Sequence, residues 1–208
     1  MKGIIFTQEM FNAVIIGRKT QMRRIMKPQP IDGDYLATTI VPKGESYWQD
    51  GSVRMPYKSD RQIKHRYKVG ETLYIKEPYY ITRYQGGLMD LEWKECVKYK
   101  YGTKEENYEL RWNNPHTMAA SQSRHFIEIT GVRCERVQEI SDEDCLKEGL
   151  MTVNGNGLDV PKRYGFGKYF GYYTPREAYA ALFDKINGKG AWNRNPFVWV
   201  YDFKLVNI

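Results

Sequence analysis

Gly17-Arg18-Lys19-Thr20-Gln21-Met22-Arg23-Arg24 closes one structural element and opens the next. Upstream, Met10, Phe11, Val14 and Ile15 recur at helical spacing, and Thr7 is placed to cap that helix. Gly17 stops it, because glycine tolerates the left-handed conformation that ends helices. Thr20 to Ile25 then reads as a strand, broken by Lys27-Pro28-Gln29-Pro30. Four cations, Arg18, Lys19, Arg23 and Arg24, crowd the junction. The partial negative charge at a helix C-terminus accounts for Arg18 and Lys19 but not for Arg23 and Arg24, which lie past the turn. In an extended segment those two arginines point to opposite faces, so only one is expected to share a pocket with Lys19. Arginine forks suit phosphates and base edges, and lysine supplies a point charge. The segment therefore points to RNA, a nucleotide or another anionic ligand, and a solvated charge run is the competing explanation.

Residues 3 to 6 form a short buried strand. Residues 31 to 69 are weakly patterned, consistent with loops and short edge strands. Val69 to Glu77 is a turn followed by a strand that Pro78 ends, and residues 79 to 110 suit hairpins of alternating aromatic and charged residues. Phe126 to Val137 is a long strand whose apolar phase slips at Gly131, which predicts a bulge. Ser141 caps a short acidic helix, Asp142 to Glu148, closed by Gly149. Residues 151 to 173 read as a long loop. Thr174-Pro175-Arg176-Glu177 is a capping box with proline in the first turn. Tyr179, Leu182, Phe183 and Ile186 make the buried stripe of that helix. In the final strand, Phe197 to Val206, both faces are apolar at the start, which predicts burial on both sides. Several strands with three short helices and no βαβ rhythm predict an α+β fold, a mixed β-barrel with short peripheral helices and loop insertions.

The bulk properties narrow the class. A chain of 208 residues, 41% hydrophobic and 27% charged, suits one globular domain. Its net charge of +7 leans mildly towards anionic partners. Cys96, Cys134 and Cys145 form neither a disulfide framework nor a C-x-x-C pair. His65, His116 and His125 lack ligand spacing, so neither a metal nor a cofactor is expected. No apolar run is long enough for a signal peptide or a membrane span, which points to a cytoplasmic protein.

Gly17-x-Lys19-x-x-x-x-Arg24 resembles the G-x-K-x-x-T-x-R signature of ASCH domains, in the PUA-like superfamily. Lys68 to Glu77 resembles that family's turn and strand, and Phe126 to Ser141 its central strand and helix start. Phe183 to Asn193 and Asn195 to Lys204 resemble the ending of ASCH proteins encoded by phages and prophages. The resemblance implies one ASCH-type domain over 1–208, with insertions near 31–66, 85–115 and 151–173. It also implies a PUA-like barrel with a cleft beside the basic loop, binding RNA or modified nucleosides. One bacterial branch of the family hydrolyses N4-acetylcytidine with a Lys, a Thr and a Glu. Lys19 matches the Lys and Glu148 the Glu, whereas Met22 stands at the Thr position. A thioether cannot take up the acyl group as a hydroxyl does, so an acyl-enzyme route is not expected.

The expected ligand-binding set is thus Gly17, Arg18, Lys19, Arg23 and Arg24, joined by Glu77 at a strand end and Trp192 in a polar loop. Lys19 and Glu148 would be catalytic only if the protein is an enzyme. Trp192 has a competing role, folding back to cover the domain. Tyr164, Phe166, Tyr169, Phe170, Tyr172 and Tyr173, interleaved with Arg163 and Lys168, resemble an aromatic and basic nucleic-acid surface or an insertion packed on itself. The leading function is an RNA- or nucleotide-binding module, with a monomer favoured over an oligomer. The alternatives are a hydrolase of a modified nucleoside or RNA, and a phage accessory protein that binds a host protein.

Overall fold

The computed structural model describes residues 1–30, 35–37, 62–87, 90–102, 111–153 and 162–207. Much of the expected insertions, 38–61, 103–110 and 154–161 among them, lies outside the described residues. In chain order the elements are β1 (Lys2–Ile5), α1 (Gln8–Ile15), β2 (Gln21–Ile25), β3 (Tyr35–Ala37), β4 (Gln62–Lys64) and β5 (Thr72–Lys76). A hairpin, β6 (Tyr79–Gly87) and β7 (Asp90–Tyr99), follows, then β8 (Phe126–Arg136) and α2 (Asp142–Lys147). The chain ends with β9 (Met151–Val153), β10 (Arg163–Phe166), β11 (Tyr169–Tyr172), α3 (Pro175–Asn187) and β12 (Phe197–Val206).

The fold is mixed α+β. Its principal sheet has the order β1-β5-β8-β12-β2. β1 runs parallel to β5, and the other pairs are antiparallel. β12 lies between β8 and β2, and Val198, Trp199, Val200 and Tyr201 are all buried, as its two apolar faces require. The predicted bulge is present. Asp202 faces Gly131 and Phe203 faces Ile129, which leaves Thr130 without an opposite residue. The described strands do not pair into a closed barrel: β1 and β2 remain edges. These edges nevertheless approach, for Arg24 Nη2 on β2 donates to the Ile5 carbonyl on β1 at 3.4 Å.

The helices form where their caps dictate. Thr7 Oγ1 accepts from Met10 N, Ser141 Oγ from Asp144 N, and Thr174 Oγ1 from Glu177 N. α3 packs on α2 and on β10 and β11. Its buried stripe is Tyr179, Leu182 and Phe183, whereas Ile186 is more than half exposed, contrary to the periodicity reading. The long loop expected over 151–173 is also corrected. Its described residues form a three-stranded sheet, β11-β10-β9. Glycines interrupt its aromatic alternation and masked the strand pattern, and a register shift lies between Tyr164 and Gly165.

Candidate functional site

Lys19 sits where α1 has ended and β2 has not begun. Gly17, with φ 75°, turns the chain there. The Lys19 backbone N–H donates to Ala13 O, and Thr20 N donates to Lys147 O at the end of α2. Lys19 and Glu148 thus form an isolated antiparallel bridge. Gly149 makes this approach possible. Its φ is 98°, and a β-carbon there would lie 3.1 Å from Lys19 Cβ and 3.2 Å from Ala13 Cβ.

The side chains complete the join. Lys19 Nζ donates to Glu148 Oε2 at 2.6 Å, to Glu148 O at 2.8 Å and to Gln21 O at 2.8 Å. An ammonium has three donors, so each has a partner. Glu148 Oε1 meets Arg23 Nη1 at 3.1 Å. Arg23 also reaches Glu135 Oε1 at 2.7 Å and Asp144 Oδ2 at 3.0 Å. Arg133 continues the lattice by pairing with Asp144, and with Asp202 at 3.0 Å. Gln21 Nε2 ties it back to Asp202 Oδ1 at 2.6 Å.

Burial sets the electrostatics. Burial lowers the Lys19 ammonium below its ordinary value; Glu148 opposes this, and Arg24 and Arg23 add to it. Arg23 behaves in the opposite way. Burial disfavours its charge, but Glu148, Tyr179 and Glu135 outweigh that and hold the guanidinium above its ordinary value. Glu148, which alone would suffer at a helix C-terminus, is held in place by these two cations.

This network forms one wall of a cavity of about 350 Å³. Ile5, Phe6, Thr7 and Met10 line it from the β1–α1 connection. Met22, Arg23 and Arg24 line it from β2, and Tyr179, Leu182, Phe183, Ile186 and Asn187 from α3. The cavity therefore occupies the gap between the two edges of the principal sheet. That position corrects the expectation that only one of Arg23 and Arg24 could join Lys19. The side chains do alternate, Arg23 buried and Arg24 exposed, but a cavity beside an edge strand is bordered by both.

Two polar groups on the lining stand apart. Arg24 makes no ion pair among the described residues, and its only hydrogen bond there is the long one to Ile5 O. Tyr179 is 3% exposed, and its hydroxyl has no hydrogen-bond partner among the described residues. Its place in the apolar stripe of α3 hid it from the sequence reading. The hydroxyl faces the charges of Glu148 and Arg23, and burial, with Glu148 adding to it, raises its pKa well above the ordinary value.

The other expected site residues lie elsewhere. Gly17 and Arg18 do not line the cavity. Arg18 Nε is buried without a partner among the described residues. Glu77 is 1% exposed and held by Arg124 through two contacts of 2.8 Å, away from the cleft it was expected to border. Glu77 follows directly on β5, and its arginine partner stacks on Tyr99. Trp192 is not a cavity residue either. Asp184 accepts from the Trp192 and Gly190 backbone N–H groups and folds the loop back. The indole then packs edge-on against Tyr179 and Phe183, supporting the cavity wall.

Among the described residues no group of His, Cys, Asp and Glu could hold a metal ion. No helix among them is long and apolar enough to cross a membrane. Comparison of the chain with protein-family models, curated proteins and solved structures finds no match.

Proposed function

We propose that the protein is an ASCH-type module, of the kind encoded by phages and prophages, that binds RNA or a nucleotide-like anion in the cavity beside residues 17–24. In this reading its principal sheet is a PUA-like barrel left open at the ligand site. It acts in the cytoplasm, where its free thiols stay reduced.

The observation that carries the proposal is the convergence of Lys19, Arg23, Arg24, Glu148 and Tyr179 on one cavity. The volume of about 350 Å³ falls in the range of roughly 300–1,000 Å³ usual for small-ligand sites. Apolar walls accept a planar base. The Tyr179 hydroxyl and the Glu148 carboxylate meet its polar edge. Arg24, exposed and without an ion pair among the described residues, suits a phosphate at the mouth. The shortfall in barrel closure also fits, since the gap between β1 and β2 is where the cavity lies.

The test is anisotropy of a labelled single-stranded RNA against the wild type and Arg24→Ala at several salt concentrations. Affinity should fall with salt and drop about tenfold in the variant, because a charge-assisted hydrogen bond contributes about 1.5–3 kcal/mol. Binding indifferent to salt and to the substitution would overturn the proposal.

A hydrolase acting on an N-acylated nucleoside is the second reading, favoured by Lys19 and Glu148 facing the same cavity. Met22 also lines that cavity, so its thioether stands where the resemblance implies a nucleophilic hydroxyl. Hydrolysis would have to proceed by direct attack of water on the acyl carbon, with Glu148 accepting the water proton and returning it to the nucleoside nitrogen as the acyl C–N bond breaks. Release of the free acid from such a nucleoside, lost in Glu148→Gln, would favour this reading over simple binding.

A further inference from the structure

The hairpin β10–β11 and the neighbouring face of α3 carry exposed rings and cations that the cavity does not use. Tyr169, Phe170 and Tyr173 are 44%, 43% and 66% exposed. Lys185, on α3, lies 4.3 Å from the Tyr169 ring centroid, and Lys168 lies 6.0 Å from it. The Arg163 guanidinium stacks 3.7 Å from the Tyr173 centroid. Arg163 Nη1 is buried without a hydrogen-bond partner among the described residues. None of Arg163, Lys168 and Lys185 pairs with a carboxylate among the described residues.

This face adjoins the cavity. A β-carbon on Gly167, in the β10–β11 turn, would lie 3.0 Å from Glu9 Cγ. Glu9 stands on α1 between Thr7 and Met10, both lining residues. On α3, Lys185 directly precedes Ile186 and Asn187, also lining residues. The two surfaces share α3 as a wall.

We propose that β10–β11 and α3 form a stacking track for single-stranded RNA, onto which nucleotides flanking the cavity-bound base continue. This rests on the nucleotide-binding reading of the cavity and adds that the ligand is a strand. Exposed rings accept bases of any identity, and cations that pair with no carboxylate among the described residues follow the backbone. An acidic peptide would use the cations but leave the rings without a role.

The experiment compares uridine monophosphate with an eight-nucleotide oligouridylate by calorimetry on the full chain. The monophosphate reads the cavity alone. The oligonucleotide should bind at least tenfold more tightly. That gain should be lost in Tyr169→Ala/Phe170→Ala and in Lys168→Glu/Lys185→Glu, with monophosphate affinity and melting temperature unchanged. Equal affinity for the two ligands would overturn the track while leaving the cavity reading intact. A gain that survives in both variants, or equal competition by polyglutamate, would also overturn it. If neither ligand binds, the cavity reading fails with it.

Discussion

Lys19 Nζ lies 2.6 Å from Glu148 Oε2, although 129 residues separate the two in the chain. Both side chains are about 5% exposed, so the pair is a buried one. Lys19 uses its remaining donors on main-chain carbonyls. It therefore anchors the C-terminus of α2 to the start of β2 and presents the Glu148 carboxylate to the cavity. Arg24 and Tyr179 are left with donors to offer a ligand.

Removing one partner of a buried pair strands the other. Glu148→Ala should destabilise the protein by about 3–5 kcal/mol in urea unfolding, because Lys19 and one arm of Arg23 lose their counter-charge. Lys19→Met/Glu148→Leu should cost less than the sum of its single substitutions by more than about 1 kcal/mol. Strict additivity would mean that the two side chains are not energetically coupled.

Tyr179→Phe separates binding from stability. The hydroxyl has no hydrogen-bond partner among the described residues, so the melting temperature should stay level or rise. Affinity for a nucleotide should fall about three- to tenfold, the effect of one lost hydrogen bond of about 0.5–1.5 kcal/mol. A drop in stability with affinity unchanged would place the hydroxyl in the fold and not at the ligand.

These residues also mark how far the sequence could be read. Caps, the bulge near Gly131 and the doubly buried start of β12 are local signals, and each was legible. Lys19 and Glu148 were paired only through a resemblance, since nothing local foretells a contact of that span. Tyr179 was invisible because an apolar helical stripe looks the same whether it faces a solid core or a cavity. Glu77 was misplaced because a carboxylate before proline at a strand end does not reveal the arginine waiting for it. The strands in 151–173 were missed because their glycines break the alternation.

Asp144 makes the network acid-sensitive. Burial works against its charge, but Lys147, Arg133 and Arg23 more than offset this and hold its carboxyl below the ordinary value of 3.8. A folded-state value below the unfolded one gives stability that is present above pH 3.8 and lost as pH falls through the depressed value. Between about pH 5 and pH 2, Asp144→Asn should therefore lose less unfolding free energy than the wild type. Parallel acid profiles would show that Asp144 contributes nothing to the lattice.

Thiol reactivity reports on α2. Cys145 lies on its buried face, and burial pushes its thiol up to about 12, whereas Cys96 is exposed. With an aromatic disulfide reagent at mildly alkaline pH, Cys96 should react at once and Cys145 only on unfolding. Rapid reaction of Cys145 in the native protein would mean that α2 opens readily, against a tight Lys19–Glu148 anchor.

The most direct measurement is an amide chemical-shift titration of the labelled protein with ribonucleoside 5′-monophosphates. Saturable shifts centred on Met22, Arg24, Tyr179 and Ile186, reduced in Arg24→Ala, are the predicted result. No saturation at millimolar ligand, or shifts confined to residues away from the cavity, would contradict the assignment of this cavity as the ligand site.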